Sequence, residues 1–97
     1  MSLSIHREAE VDLAEATRYY QAEAGKAVAG RFLNEVERVA KVLEGNPGFG
    51  TPGAGGRRTF PLRSFPYSLI YREIEGGIRI LVVRHQSRDP AFGDGRS

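Results

Sequence analysis

Residues 57–88 read RRTFPLRSFPYSLIYREIEGGIRILVVRHQSR. Arginines are woven through hydrophobic strand residues here, and turn residues divide the stretch into three strands. The first is expected over Arg58–Phe65, the second over Tyr67–Ile74 and the third over Ile78–His85. Between the last two, Glu75-Gly76-Gly77 fits a tight hairpin, because glycine takes the left-handed conformations such turns need. Pro66 has no amide hydrogen to offer a ladder, so a very short connection or a bulge is expected between the first two strands. Ile78-Arg79-Ile80-Leu81-Val82-Val83 is nearly continuous in apolar character, as befits a central strand covered on both faces.

Working outward, Leu3-Ser4-Ile5 alternates and forms a short first strand. From Arg7 to Ala24, Ala9, Leu13, Ala16 and Tyr20 recur at three- and four-residue spacing, while Glu8, Asp12, Glu15 and Arg18 fall elsewhere. That pattern is an amphipathic helix, with acids in its first turns where the helix dipole favours them. His6, just ahead of it, is a helix-entry residue. Gly25 breaks the pattern, and a second helix over Lys26–Glu44 carries Val28, Phe32, Val36, Val39 and Leu43 as its apolar stripe. Gly45-Asn46-Pro47 stops it: Gly or Asn can take a left-handed cap, and Pro cannot continue a helix. Residues 45–56, GNPGFGTPGAGG, exclude a helix or central strand and read as a flexible loop. The loop lacks the Lys-Ser/Thr ending of a phosphate-binding P-loop. The expected fold is therefore α+β, in the order β-α-α-β-β-β: a helical hairpin packed on a small, mostly antiparallel four-stranded sheet. One domain over 1–97 is expected, with a disordered tail at 93–97.

Bulk properties narrow the function. There are no cysteines, hence no disulfide framework and no thiolate ligand or nucleophile. No stretch suits a signal peptide or a membrane span, so a cytoplasmic protein without membrane contacts is expected. Charge is unevenly placed. Residues 1–48 carry six Arg or Lys against eight acids, whereas 49–97 carry eight Arg against four, and no lysine follows Lys41. Arginine presents a rigid fork of donors that suits phosphates and carboxylates. The second half therefore expects an anionic partner.

Three chemistries compete for these arginines. Metal-dependent phosphate chemistry needs clustered acids or histidines, and the second half offers only Glu73, Glu75, Asp89 and Asp94; no metal or other cofactor is expected. A metal-independent ribonuclease would need an acid, a base and cations for the phosphorane charge. His85 with Arg84 and Arg88 is the one histidine–arginine constellation, and Arg63 can join it. A lone histidine at a strand end also serves packing. The third reading is binding alone, with Arg57, Arg63, Arg84 and Arg88 making charge-assisted contacts to a partner. Tyr67 and Tyr71 share strand parity and serve there as anchors, or else as ordinary sheet packing.

Tyr19-Tyr20, RFLNEVERV at 31–39, NPGFG at 46–50, FPYSLIYR at 65–72 and IRILVVRHQSRDP at 78–90 together resemble the ParE/RelE toxin superfamily of bacterial type II toxin–antitoxin modules. The likeness runs from about Ile5 to Phe92, with its elements in the family's order. It implies the same fold, and a hetero-oligomer with a cognate antitoxin whose acidic, disordered C-terminal segment wraps the toxin. RelE-like members cut messenger RNA on the ribosome without metal; ParE-like members inhibit DNA gyrase. This chain departs from the RelE pattern: its second half has no lysine, and Phe92 stands where a tyrosine would fall. The resemblance therefore implies gyrase inhibition, without catalysis. A ribosome-dependent endonuclease using His85, Arg63, Arg84 and Arg88 is the alternative, and a non-toxic RNA- or protein-binding domain a third.

Overall fold

The computed structural model describes residues 2–97. Strand β1 (Ser2–Ile5) leads into helix α1 (Arg7–Ala24), and helix α2 (Lys26–Gly45) returns beside it. Single 3-10 turns at Pro47–Phe49 and Ala54–Gly56 flank β2 (Thr51–Pro52); β3 (Arg57–Pro61), β4 (Tyr67–Ile74) and β5 (Gly77–His85) complete the chain's regular structure. The sheet has five strands in the order β1-β5-β4-β3-β2, with β1 parallel to β5 and the other pairs antiparallel. The expected four strands are thus joined by a fifth. Thr51 and Pro52 pair with Thr59 and Arg58 at the sheet's edge, where a proline is tolerated.

The helical hairpin forms as its pattern predicts. His6 enters α1 by accepting the Glu8 amide on Nδ1 at 3.0 Å, and Gly25 turns the chain at φ 90°. The Gly45-Asn46 stop holds, but not through a left-handed cap: Asn46 has φ −144° and its side-chain amide donates to the Val42 carbonyl. One face of the sheet packs against both helices. Its core gathers Phe32, Val36, Val39 and Leu43 of α2, Ala9 and Ala16 of α1, and Leu69, Tyr71, Ile78, Ile80 and Val83 of the sheet. An aromatic group of Tyr20, Phe32, Phe65 and Tyr67 closes one end, with ring centroids 5.1–6.1 Å apart.

The first long strand ends at Pro61 rather than Phe65. Leu62 turns into the core, and residues 62–66 form a loop in which Ser64 takes φ 63°. The link between β3 and β4 is therefore not the very short one expected at Pro66. The bulge lies instead between β4 and β5. Ile70 pairs with Val82 and Tyr71 with Ile80, which leaves Leu81 as the extra residue. Leu81 and Val82 both belong to a second, smaller core with Ile70 on the far face, and Phe92 packs against it. As expected, β5 is central and buried on both faces.

The last residues cover that far face. Composition points to disorder at 93–97, yet here they have specific partners. The Arg96 guanidinium meets the Asp12 carboxylate at 2.6 Å, with the two side chains only 9% and 7% exposed. Arg57 donates to the carbonyls of Gly93, Asp94 and Arg96, and Arg84 to that of Pro90. Gly93, at φ 86°, lies so close to Val82 that a Cβ there would meet its methyl at 2.5 Å.

Candidate functional site

Strand β1 stops at Ile5, opposite Ile80, so β5 runs on past it without a neighbour on that side. Side chains take the place of the missing strand. The Val83 amide donates to Asp12 Oδ2 at 3.1 Å, and Arg96 donates to the Leu81 carbonyl at 3.0 Å. Asp12 was read from sequence as a polar flank of α1, but it is buried. A charge there is tolerable only because a guanidinium and an amide both face it.

Beyond this plug, the end of β5 opens into a cleft against the C-terminal half of α1. Tyr19, Tyr67, His85, Ser87 and Arg88 line its outer part, about 380 Å³ in volume. Asp12, Glu15, Arg84 and Phe92 line its inner part, about 180 Å³. The His85 ring stands edge-on to Tyr67 with centroids 5.0 Å apart. Its Nδ1 accepts the Ser87 amide at 3.0 Å, so the neutral ring carries its proton on Nε2. Burial, with a smaller contribution from Tyr19, raises the Tyr67 pKa and keeps its phenol protonated. Arg88 lies over the Phe92 ring at 4.0 Å. The cleft thus sets an imidazole, phenols and two guanidiniums beside the carboxylates of Asp12 and Glu15, and its guanidiniums can hold a carboxylate or phosphate at the end away from those acids.

Of the candidates read from sequence, Tyr67, Arg84, His85 and Arg88 come together here. The other three lie elsewhere. Arg63 lines a separate groove of about 670 Å³ with Tyr20, Arg31, Asn34 and Phe65. Its amide donates to Glu35 at 2.6 Å, and Glu35 also holds Arg38. These contacts lower the Glu35 pKa, the Arg38 hydrogen bond most of all, against an opposing push from burial. Arg57 belongs to the far face with the C-terminal segment. Tyr71 shares Tyr67's face, as its parity required, but is 0% exposed. Its hydroxyl accepts the Gly50 amide at 2.8 Å and donates to the Pro47 carbonyl at 2.7 Å, pinning the glycine-rich loop. It is a structural residue, not a surface anchor. Tyr19 also lines the cleft and is 57% exposed; its sequence signal is a large aromatic placed among the polar positions of α1. Among the described residues, no group of three or more His, Asp or Glu is placed to hold a metal ion.

Comparison with known proteins gives this architecture its place. Residues 3–90 match the family model described as the ParE toxin of the type II toxin–antitoxin system parDE. Toxin ParE2 of Mycobacterium tuberculosis is 33% identical over 88 residues, spanning 91% of this chain and 84% of that protein. A solved structure of the chromosomal ParDE toxin–antitoxin system from P. aeruginosa superposes with a TM-score of 0.76 at 28% identity, over 88% of this chain and 95% of that one. A helical hairpin on this sheet, with an arginine-lined cleft at its end, defines a toxin of the ParE/RelE superfamily. The chain belongs to the ParE toxin family of type II toxin–antitoxin systems.

Proposed function

We propose that this chain is a gyrase inhibitor silenced by a cognate antitoxin. The observation that carries the reading is the ParE family match along residues 3–90. The dispersal of the candidate nuclease residues supports it. Phosphodiester cleavage needs acid, base and cation on one phosphate, whereas Arg63 lines one groove and His85, Arg84 and Arg88 another. Purified toxin is expected to block ATP-dependent supercoiling by DNA gyrase and to release that block when antitoxin is added. Supercoiling that proceeds unchanged at excess toxin would sink the proposal. The cleft that does unite His85, Arg84 and Arg88 favours ribosome-dependent mRNA cleavage as the second reading. Under it, His85→Ala and Arg88→Ala abolish translation arrest while the fold survives; under gyrase inhibition the wild type leaves messages intact.

The antitoxin contact has a surface to match. Ile5, Leu13, Ala14, Thr17 and Leu33 line a groove of about 480 Å³ along the hairpin. Leu3, Ile5, Val11 and Leu33 stand exposed. An amphipathic helix of the antitoxin covers this apolar strip, and its acidic segment reaches Arg84 and Arg88. Such a complex is a hetero-oligomer acting in the cytoplasm. Leu33→Asp is expected to weaken antitoxin binding at least tenfold in a titration, by placing a charge against an apolar partner. Unchanged affinity would move the contact elsewhere. No helix among the described residues is long and apolar enough to cross a membrane.

A further inference from the structure

Helix α1 shows different chemistry on its two flanks. Leu13, Ala14 and Thr17 face the apolar groove on one side. Glu15 and Tyr19 face the cleft at the end of β5 on the other. Helical geometry enforces the separation. Leu13 and Thr17 are four residues apart and share a face, as are Glu15 and Tyr19, and the second pair begins two residues after the first, a little over half a turn round.

The cleft flank joins an exposed aromatic to charges of both signs. Tyr19 is 57% exposed, and its ring meets Tyr20 edge-on at 5.5 Å. Glu15 and Arg88 are exposed and line the same inner cleft. Neither takes part in an ion pair among the described residues, whose acids are Glu8, Asp12, Glu35 and Glu37. His85 keeps its Nε2–H to donate, because Nδ1 accepts the Ser87 amide. Glu15, Tyr19 and Arg88 belong to neither apolar core, so packing does not account for their placement. Folding leaves this flank with a large aromatic in water, an unpaired acid and an unpaired base.

We infer that the Tyr19 flank is the surface through which the toxin holds a folded face of its protein target, with Tyr19 as anchor and Glu15 and Arg88 as charged contacts of opposite sign. The inference rests on the gyrase reading above and names where that enzyme is met. Glu15 selects the class of partner. A polyanion laid along the cleft, whether nucleic acid or a run of acidic residues, meets Glu15 as well as Arg88, and like charges brought together at an interface oppose binding. Asp12 adds little to that repulsion, since Arg96 already answers its charge. A folded protein face supplies both signs: a carboxylate for Arg88, an ammonium or guanidinium for Glu15, and apolar surface for the Tyr19 ring. Tyrosine and arginine are enriched among the residues that carry binding energy at such faces. The acidic antitoxin segment touches Arg84 and Arg88 from beyond the acids, and so silences the toxin by covering part of this surface.

The test is inhibition of gyrase supercoiling by the full chain and its variants, read as the toxin concentration that halves the activity. Tyr19→Ala should raise that concentration at least about tenfold, whereas Tyr19→Phe, which keeps the ring, should raise it no more than about twofold. Arg88→Gln should raise it about fivefold. Glu15→Lys discriminates best, because the two classes of partner give opposite signs. Against a protein face of mixed charge it should raise the concentration about tenfold; against a polyanion it would lower it. Thermal melts confirm that each variant is folded. Wild type that leaves supercoiling untouched overturns the gyrase reading, and this inference with it. Wild type that inhibits, with Tyr19→Ala or Glu15→Lys inhibiting equally well or better, overturns this inference alone.

Discussion

The two faces of this sheet are held by different physics. The helix-covered face buries a continuous apolar core in which Phe32, Leu43, Leu69, Tyr71, Ile78 and Ile80 are all nearly or wholly shielded from water. The far face buries a smaller apolar group, Ile70, Leu81 and Val82, under Phe92. Its cover is a short segment held by guanidinium contacts: Arg57 and Arg84 to carbonyls, and Arg96 to Asp12. Burial is non-directional and tolerates repacking. The arginine contacts are directional and depend on a few atoms. The helix-covered face should therefore lose stability in proportion to the volume removed from it, and the far face through the loss of individual contacts.

The largest effect is expected from Phe32→Ala, which opens a cavity where both helices meet the sheet and should cost about 3–5 kcal/mol. Thermal unfolding would register it as a lower Tm for the whole molecule. Asp12→Ala should follow at about 3 kcal/mol, because it strands a buried Arg96 and the Val83 amide. Its signature differs: hydrogen exchange should quicken first at Val83 and along 89–97. If those amides stay protected, the far face does not depend on its ion pair. Tyr71→Phe leaves the buried Gly50 amide without its acceptor and should cost about 2 kcal/mol, read in denaturant melts. That variant probes the helix side, where a polar contact is embedded in the apolar core. Glu35→Gln should cost least, about 1 kcal/mol, by loosening the 62–66 loop from α2. Because Glu35 has a lowered folded-state pKa, its contribution is present above its unfolded value and fades as pH falls through the folded one. Melting curves of wild type and Glu35→Gln should therefore converge in acid. A gap that widens there would contradict the assigned contacts.

Much of this was legible in the sequence, and the two faces differ in that as well. The helix side follows from periodicity: of the α2 stripe, Phe32, Val36, Val39 and Leu43 are buried as the spacing required while Val28 is half-buried, and β4 spans Tyr67–Ile74 as read. The far face hid for three reasons. The bulge falls inside the unbroken apolar run Ile80-Leu81-Val82-Val83, where alternation cannot show which side chains face which way. Asp12 and Arg96 lie 84 residues apart, and nothing local to either announces the other. Arg57, Arg72 and Arg79 lie opposite one another on adjacent strands, and that alignment depends on strand register, which turn and loop geometry sets rather than the composition of the strands. Strand β2 went unread because two residues, one of them proline, carry no strand pattern. Of the candidate site, the residues adjacent in sequence, Arg84, His85 and Arg88, were found together. Arg63 and Arg57 were not separable from them without the three-dimensional fold.

Because the arginines grip main-chain oxygen, most of the final segment is held without regard to its side chains. Every residue type supplies a carbonyl, so positions 94, 95 and 97 are free to drift over evolutionary time while the segment keeps its path. Positions 92, 93 and 96 are bound by a ring, a close approach to Val82 and an ion pair. Relatives that keep this cover should vary freely at the first three positions and hardly at all at the other three. The contrast separates selection on a shape from selection on a sequence.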